Sequence, residues 1–230
     1  MIPHCHAASN PITTVICDMD NTLFDFVTAK REACRGIVEY AGAGDAEECF
    51  RYFLRGVHGF EHHDNIRDYL NTIGICCPET FGACCRIYED AKLRGLEPYP
   101  EVDATLRRLR DAGLRLAVAT DAELSQAEKR LARTGLIDHF ELVVTPDVSG
   151  KRKPEPDSFL YILREFGASP RSAMIVGDSP ARDIAGGRRL GMATAFAAYG
   201  DWRTDTSGEH GADYVLQRFS DLLAHLGLLR

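Results

Sequence analysis

At 230 residues the chain is long enough for one large hydrophobic core or for a core with a smaller insertion, and its patterning favours the second. A net charge of -7 without a concentrated basic stripe argues against nucleic acid as a partner, and the short run Arg107 to Arg110 reads as the solvated face of a helix. No stretch approaches the roughly 18 uninterrupted apolar residues of a membrane span, and residues 1–11 lack an apolar core of the secretory type, so a cytoplasmic monomer or homodimer with no membrane partner is expected.

Ile12 to Cys17 reads as an apolar strand. It runs into Asp18-Met19-Asp20-Asn21-Thr22, two carboxylates two residues apart where apolar chain gives way to polar chain. From Asp25 to about Gly95 the pattern is helical. Phe26, Ala33, Ile37 and Tyr40, with Val27, Cys34 and Val38 beside them, recur at three-to-four-residue spacing and predict a helix that buries one face. Two shorter helices are predicted around Cys49, Phe50, Phe53 and Leu54, and around Ile66, Tyr69 and Leu70. A fourth begins near Pro78, a residue suited to a first helical turn, with Phe81, Cys84, Cys85, Tyr88 and Ala91 on its apolar side.

All eight cysteines precede Arg86. Adjacent pairs such as Cys76-Cys77 and Cys84-Cys85 point in different directions, whereas metal-binding sulfurs usually stand two to four residues apart, so these are read as small buried apolar residues in a reducing compartment. His4-Cys5-His6 is read as a frayed terminus rather than a metal site.

Past Pro98-Tyr99-Pro100 the pattern alternates between helix and strand. Helices are predicted at Val102 to Ala112, Glu123 to Arg133, Ser158 to Phe166 and Ala181 to Leu190, with a last one using Leu222, Leu223 and Leu226. Strands are predicted at Leu114 to Ala119, Glu141 to Thr145, Ala173 to Val176, Ala193 to Ala197 and, more weakly, Asp213 to Leu216. This alternation implies an α/β fold, a Rossmann-like parallel sheet flanked by helices, with the helical stretch before it as an inserted α-helical unit. The expected division is 1–22 with 98–230 as the sheet core and 23–97 as the helical insertion, with Asn21 to Asp25 and Leu96 to Val102 as hinge candidates.

Polar signals follow four of the strands. Asp18 and Asp20 follow the first, Thr120-Asp121 the second, Lys153-Pro154 lies in the loop after the third, and Gly177-Asp178-Ser179 closes the fourth. Open α/β sheets bind ligands at the carboxyl ends of their strands, so these four ends are expected to share one pocket.

In order, D-M-D-N-T from Asp18 to Thr22, Thr120, Lys153 within G-K-R-K-P-E-P, and G-D-S-P-A-R-D from Gly177 to Asp183 resemble the four motifs of the haloacid dehalogenase superfamily of phosphohydrolases. A lone D-x-D-x-T is a weak signal; four motifs, each after a strand-like segment, are a strong one. The resemblance implies a phosphatase with a helical cap between its first two motifs. It implies that Asp18 attacks phosphorus to form an aspartyl-phosphate and that Asp20 protonates the leaving oxygen and later activates water. Thr120 then binds a phosphoryl oxygen, and Lys153 neutralises charge on the same group and holds Asp18. Mg2+ is implied as cofactor, held by Asp18, Asp178 and the main-chain carbonyl of Asp20.

Asp183 is expected to anchor metal-bound water or Lys153, with a favourable charge near a helix start as the alternative. Ser179 before Pro180 reads as a helix cap, and Thr22 is a supporting residue of the first motif. Asp121 departs from the neutral residue of many relatives and adds negative charge near the phosphate; with its side chain turned outward, only its backbone matters. Lys153 stands some way past its strand, so its reach depends on the loop.

Between the second and third cap helices lies Arg55-Gly56-Val57-His58-Gly59-Phe60-Glu61-His62-His63-Asp64-Asn65. Arg55, His62 and His63 are candidates to bind the non-reacting part of an anionic substrate, with effects on specificity rather than on phosphoryl chemistry. Local hydrogen bonding is the commoner role for such histidines, and no metal is assigned to them.

The expected activity is magnesium-dependent hydrolysis of a small phosphorylated metabolite. A phosphomutase on the same scaffold stands second, since the acceptor depends on cap fit and water exclusion. A phosphonatase needs a cap amine and finds only Lys30 and Lys92, a dehalogenase is disfavoured by Asp20, and a non-catalytic binding protein is disfavoured by the complete set of motifs.

Overall fold

The computed structural model describes residues 11–202 and 210–229. The His4-Cys5-His6 run lies outside them. The chain divides into two compact units, one built from the residues up to Asp25 and from Pro98 onward, the other Phe26–Glu97.

The first unit is a six-stranded sheet of β1 (Thr14–Cys17), β2 (Arg115–Ala119), β3 (Leu142–Val144), β4 (Ala173–Gly177), β5 (Ala193–Ala197) and β6 (Tyr214–Leu216). All five pairings are parallel and the order is β3-β2-β1-β4-β5-β6. The chain therefore builds outward from β1 on one side and returns to build outward on the other. The switch point lies between β1 and β4, where doubly wound sheets take their ligands. Ile16, Ala117, Ala119 and Ile175 from the strands pack with Phe159, Ile162 and Leu163 of a covering helix, and strands buried on both faces read as continuous apolar runs for that reason.

The second unit holds α1 (Phe26–Ala41), α2 (Ala46–Leu54), α3 (Asp64–Thr72) and α4 (Pro78–Arg94). Its core joins Ala33, Cys34 and Ile37 of α1 to Cys49, Phe50 and Phe53, to Ile66, Tyr69 and Leu70, and to Cys84 and Tyr88. Two expected core positions lie outside it: Tyr40 is 54% exposed and Leu54 43% exposed. Each stands in the last turn of its helix, past the neighbours that cover the rest of the stripe. Asp45 caps α2 by accepting the Glu48 amide at 2.8 Å.

Cys17, Cys34, Cys49 and Cys84 are buried thiols and no disulfide joins the described residues, but Cys77 is exposed. Its sulfur accepts the Thr80 amide at the start of α4, with Pro78 in the first turn, so it serves as a helix cap instead of core filling.

The helices of the first unit are α5 (Val102–Asp111), α6 (Leu124–Arg133), the four-residue α7 (Pro146–Ser149), α8 (Asp157–Phe166), α9 (Ala185–Leu190) and α10 (Asp221–His225). Before α9, residues Pro180–Ile184 form a π-helical turn where a single α-helix from Ala181 was expected. Arg107, Arg108 and Arg110 are exposed on α5, as a solvated face requires. No helix of the described residues is long and apolar enough to cross a membrane.

Candidate active site

Register alone brings the acidic residues together. Cys17 pairs with Val118 on one side and Val176 on the other, so the next residue, Asp18, emerges beside Ala119 and Gly177, and the Asp18 amide still donates to the Val176 carbonyl at 2.8 Å. One step on, Thr120 and Asp178 leave the neighbouring strands. Asn21, with φ of 61°, turns the chain after β1, and the Leu23 amide closes that turn on the Met19 carbonyl at 2.9 Å. Asparagine tolerates the left-handed region better than most side chains.

The loops then tie themselves together. Thr22 Oγ1 donates toward Asp18 Oδ2 at 3.4 Å and accepts the Asp178 amide at 3.1 Å, while the Thr22 carbonyl accepts the Tyr199 hydroxyl at 2.6 Å. Tyr199 packs edge-on against Tyr99, ring centroids 4.9 Å apart. Gly200 lies so close behind this turn that a Cβ there would meet the Asn21 carbonyl oxygen at 1.6 Å.

Lys153 is buried, and its Nζ donates to Asp18 Oδ1 at 2.5 Å, Asp183 Oδ1 at 2.6 Å and the Ala119 carbonyl at 2.9 Å. The distance from β3 is bridged by α7 and by a loop that Asp121 secures. Asp121 Oδ1 accepts the Lys153 amide at 2.9 Å, its carbonyl accepts Arg152 at 2.6 Å, and its Oδ2 stands 3.4 Å from Arg182. Its charge is thus engaged by the loop. Burial opposes the Lys153 ammonium, yet Asp18 and Asp183 outweigh that penalty and its pKa lies above the ordinary lysine value.

Asp183 uses both oxygens, Oδ1 on Lys153 and Oδ2 on the Ser179 amide at 3.1 Å. The π-turn directs it there, and Gly177 leaves the space, since a Cβ on it would lie 2.4 Å from Asp183 Cγ. The Ser179 hydroxyl does not cap the turn as expected. It accepts Arg182 Nε at 3.2 Å, while the Arg182 and Asp183 amides donate to the Ser179 carbonyl at 3.3 and 2.9 Å. Thr120 is buried, and its Oγ1 accepts the Ala122 amide at 3.2 Å, leaving its own proton to donate. Asp20, at the solvent side of the turn, meets Arg130 NH1 at 2.7 Å.

Carboxylate oxygens of Asp18, Asp178 and Asp183 come within 4.8 Å of one another, all buried. Burial, then the charges of Asp18 and Asp183, push the Asp178 carboxyl well above the usual range. Three hard oxygen donors that repel one another in a site of low polarity fit a divalent cation such as Mg2+. Asp18 keeps one oxygen on Lys153 and the other toward Thr22, and Asp183 divides its two between Lys153 and the Ser179 amide.

The three cap candidates find partners within the cap. Arg55 pairs with Asp68 at 2.6 Å and lies over Tyr52, and His63 meets Glu89 at 2.8 Å. His62 Nδ1 receives the Asp64 amide at 3.2 Å and its ring stacks on His58. His58, His62 and Asp64 bring donor atoms within 4.8 Å, but the Asp64 amide occupies His62 Nδ1 and Arg67 occupies one Asp64 oxygen.

Two arginines were missed by motif reading. Arg182 lies inside the fourth motif, 3.4 Å from Asp121 and 3.2 Å from the Ser179 hydroxyl, and the surrounding charges of Asp18, Asp183, Asp178 and Asp121 raise its pKa. Arg130 carried a signal of another kind: it occupies the apolar stripe of α6 between Ala127 and Leu131.

Residues 12–191 match the haloacid dehalogenase-like hydrolase family. The chain belongs to that family. It is 32% identical over 223 residues to a glyceraldehyde 3-phosphate phosphatase of Methanopyrus kandleri, covering 92% of this chain and 96% of the relative. A phosphoglycolate phosphatase of Aquifex aeolicus is 37% identical over 127 residues, 55% of this chain and 58% of its own. Among solved structures, a haloacid dehalogenase-type phosphatase from Thermococcus onnurineus superposes with a TM-score of 0.67 at 25% identity, covering 95% of this chain and all of the other. This haloacid dehalogenase-like hydrolase is an enzyme of the phosphoric monoester hydrolase kind. The two curated relatives above are named as phosphatases of small phosphorylated metabolites.

Proposed function

We propose that the enzyme hydrolyses a small phosphorylated metabolite through an aspartyl-phosphate on Asp18, with Mg2+ as cofactor. The observation that carries this reading is the buried Asp18 carboxylate in contact with Lys153 and beside Asp178, with Asp20 two residues on. A carboxylate attacks a phosphate ester only when the anionic oxygens are neutralised. Asp18 and Asp178 would hold Mg2+, which would supply part of that neutralisation as a Lewis acid.

The residues supply the rest. An Asp18 oxygen forms a bond to phosphorus while the ester P–O bond breaks, and Asp20 gives its proton to the departing oxygen. Asp20, now a carboxylate, takes a proton from water; the water oxygen bonds to phosphorus and the Asp18–phosphorus link breaks. Inorganic phosphate leaves, with Asp18 ionised and Asp20 protonated again. Two displacements through a covalent intermediate replace one difficult displacement. Lys153 neutralises the transferring group and orients Asp18, and Thr120 donates its hydroxyl proton to a phosphoryl oxygen. Asp20 favours this chemistry over carbon–halogen cleavage, which has no use for a carboxyl group at that position.

The likeness to a glyceraldehyde 3-phosphate phosphatase along nearly the whole chain makes triose phosphates the first substrates to test. The experiment is a panel of phosphorylated metabolites with magnesium, with and without chelator, reading free phosphate and isomerised product together. Metal-dependent phosphate release on a triose phosphate or related small ester is expected. Full turnover in chelated, metal-depleted enzyme contradicts the proposal, and isomerised product with retained phosphate makes the enzyme a mutase.

A further inference from the structure

We propose that Arg130 is the positioning residue for Asp20, aiming its carboxylate at the leaving oxygen and at the attacking water. This rests on the acid and base roles proposed above for Asp20.

Arg130 is only 1% exposed and ranks among the largest fully buried side chains. A guanidinium on the core stripe of a helix carries a desolvation cost unless a partner offsets it. A partner among the described residues is 110 residues away in sequence: NH1 donates to Asp20 Oδ2 at 2.7 Å. Asp20 is itself 20% exposed, and Arg130 holds its carboxylate from the α6 side.

The main chain around Asp20 is already fixed. The Asn21 amide donates to the Phe24 carbonyl at 2.9 Å, the Leu23 amide to the Met19 carbonyl at 2.9 Å, and Asp20 and Phe24 form a β-bridge. What these bonds leave open is the direction of the side chain. A planar guanidinium on a rigid helix sets a direction where a flexible ammonium supplies only charge. Lys153 binds Asp18 and Asp183, and Arg182 pairs with Asp121. Arg130 comes from another element, α6, which gives the acid–base residue a support separate from the phosphate cradle.

The test uses the full chain with magnesium and rapid-quench kinetics on Arg130→Met, Arg130→Lys, Asp20→Asn and the double variant Asp20→Asn/Arg130→Met. Two substrates are compared, p-nitrophenyl phosphate, whose leaving group needs no proton, and glycerol phosphate, whose leaving group does. Arg130→Met is expected to lose about 100-fold in kcat on glycerol phosphate, the low end of general acid–base contributions, with KM nearly unchanged. Its p-nitrophenolate burst should keep the wild-type rate while phosphoenzyme hydrolysis slows. In the Asp20→Asn background the same substitution should add no further loss, and Arg130→Lys should recover part of kcat.

A burst and turnover that fall in parallel, an undiminished kcat, or an equal loss in the Asp20→Asn background overturn the inference. If Arg130→Met fails to fold by circular dichroism, Arg130→Lys carries the test: a loss confined to glycerol phosphate and to the hydrolysis step supports the role, and a uniform loss or none overturns it. A wild-type enzyme with no phosphoenzyme at all overturns the underlying mechanism instead.

Discussion

Lys153 shows what a motif can and cannot say about one residue. Its place before Pro154 marked it among the lysines, but its reach was not legible because the loop depends on Asp121, whose carboxylate holds the Lys153 amide 32 residues away. The Asp121 charge, read as a departure, is a loop support. Arg130 escaped motif reading because periodicity counts apolar positions and a buried cation on the stripe looks like a break in the pattern. Lys153 separates two buried carboxylates, Asp18 and Asp183. Lys153→Met is therefore expected to lower stability by about 3 kcal/mol, the cost of breaking a buried ion pair, and to lower kcat by about a hundredfold or more. Urea denaturation and steady-state kinetics read the two effects; a variant as active as wild type would remove Lys153 from the chemistry.

Among the elements, long amphipathic helices and apolar strands were legible and short irregular pieces were not. The helix Pro146–Ser149 and the π-turn Pro180–Ile184 are too brief for a periodic signal, yet the second aims Asp183 at Lys153. The turn after β1 has a close neighbour in Gly200, whose approach to Asn21 leaves no room for a methyl group. Gly200→Ala is expected to cost about 1–3 kcal/mol in overpacking and to depress kcat by displacing the segment that carries Asp18 and Asp20. Comparing its melting temperature and kcat with those of wild type checks both.

The cap offers a pH test. Hydrogen bonds with Cys85 and Glu89 raise His63 from 6.5 to about 9. Burial works to raise Glu89, but His63 and Lys92 hold it at about 2. The folded chain binds the His63 proton more tightly than the unfolded chain, so this stabilisation is complete below pH 6.5 and is lost as pH rises through about 9. The Glu89 share is present above pH 4.5 and is lost as pH falls toward 2. Because His63 is partly exposed, solvent screening holds the gain to about 1 kcal/mol or less. His63→Gln should therefore be less stable than wild type near pH 6 and equal to it above pH 9; a constant difference across that range would contradict the pairing.

At the scale of the whole molecule, alternation of helix and strand announced a parallel α/β sheet, but not its order. Nothing local in β1 reveals that its neighbours will be β2 and β4, because strand order is chosen by crossovers and packing. Once that order is given, the register places Asp18, Thr120 and Asp178 side by side. Substrate choice was not legible, since all four motifs serve the phosphoryl group that every such substrate shares. The proposed chemistry requires Asp18 to be the nucleophile, and the decisive measurement is acid-quench mass spectrometry of the Asp18 peptide during turnover with magnesium and a small phosphate ester. A phosphoryl group on Asp18 that forms with substrate, turns over in wild type and accumulates in Asp20→Asn is the expected result; steady phosphate release with Asp18 unmodified in both would contradict it.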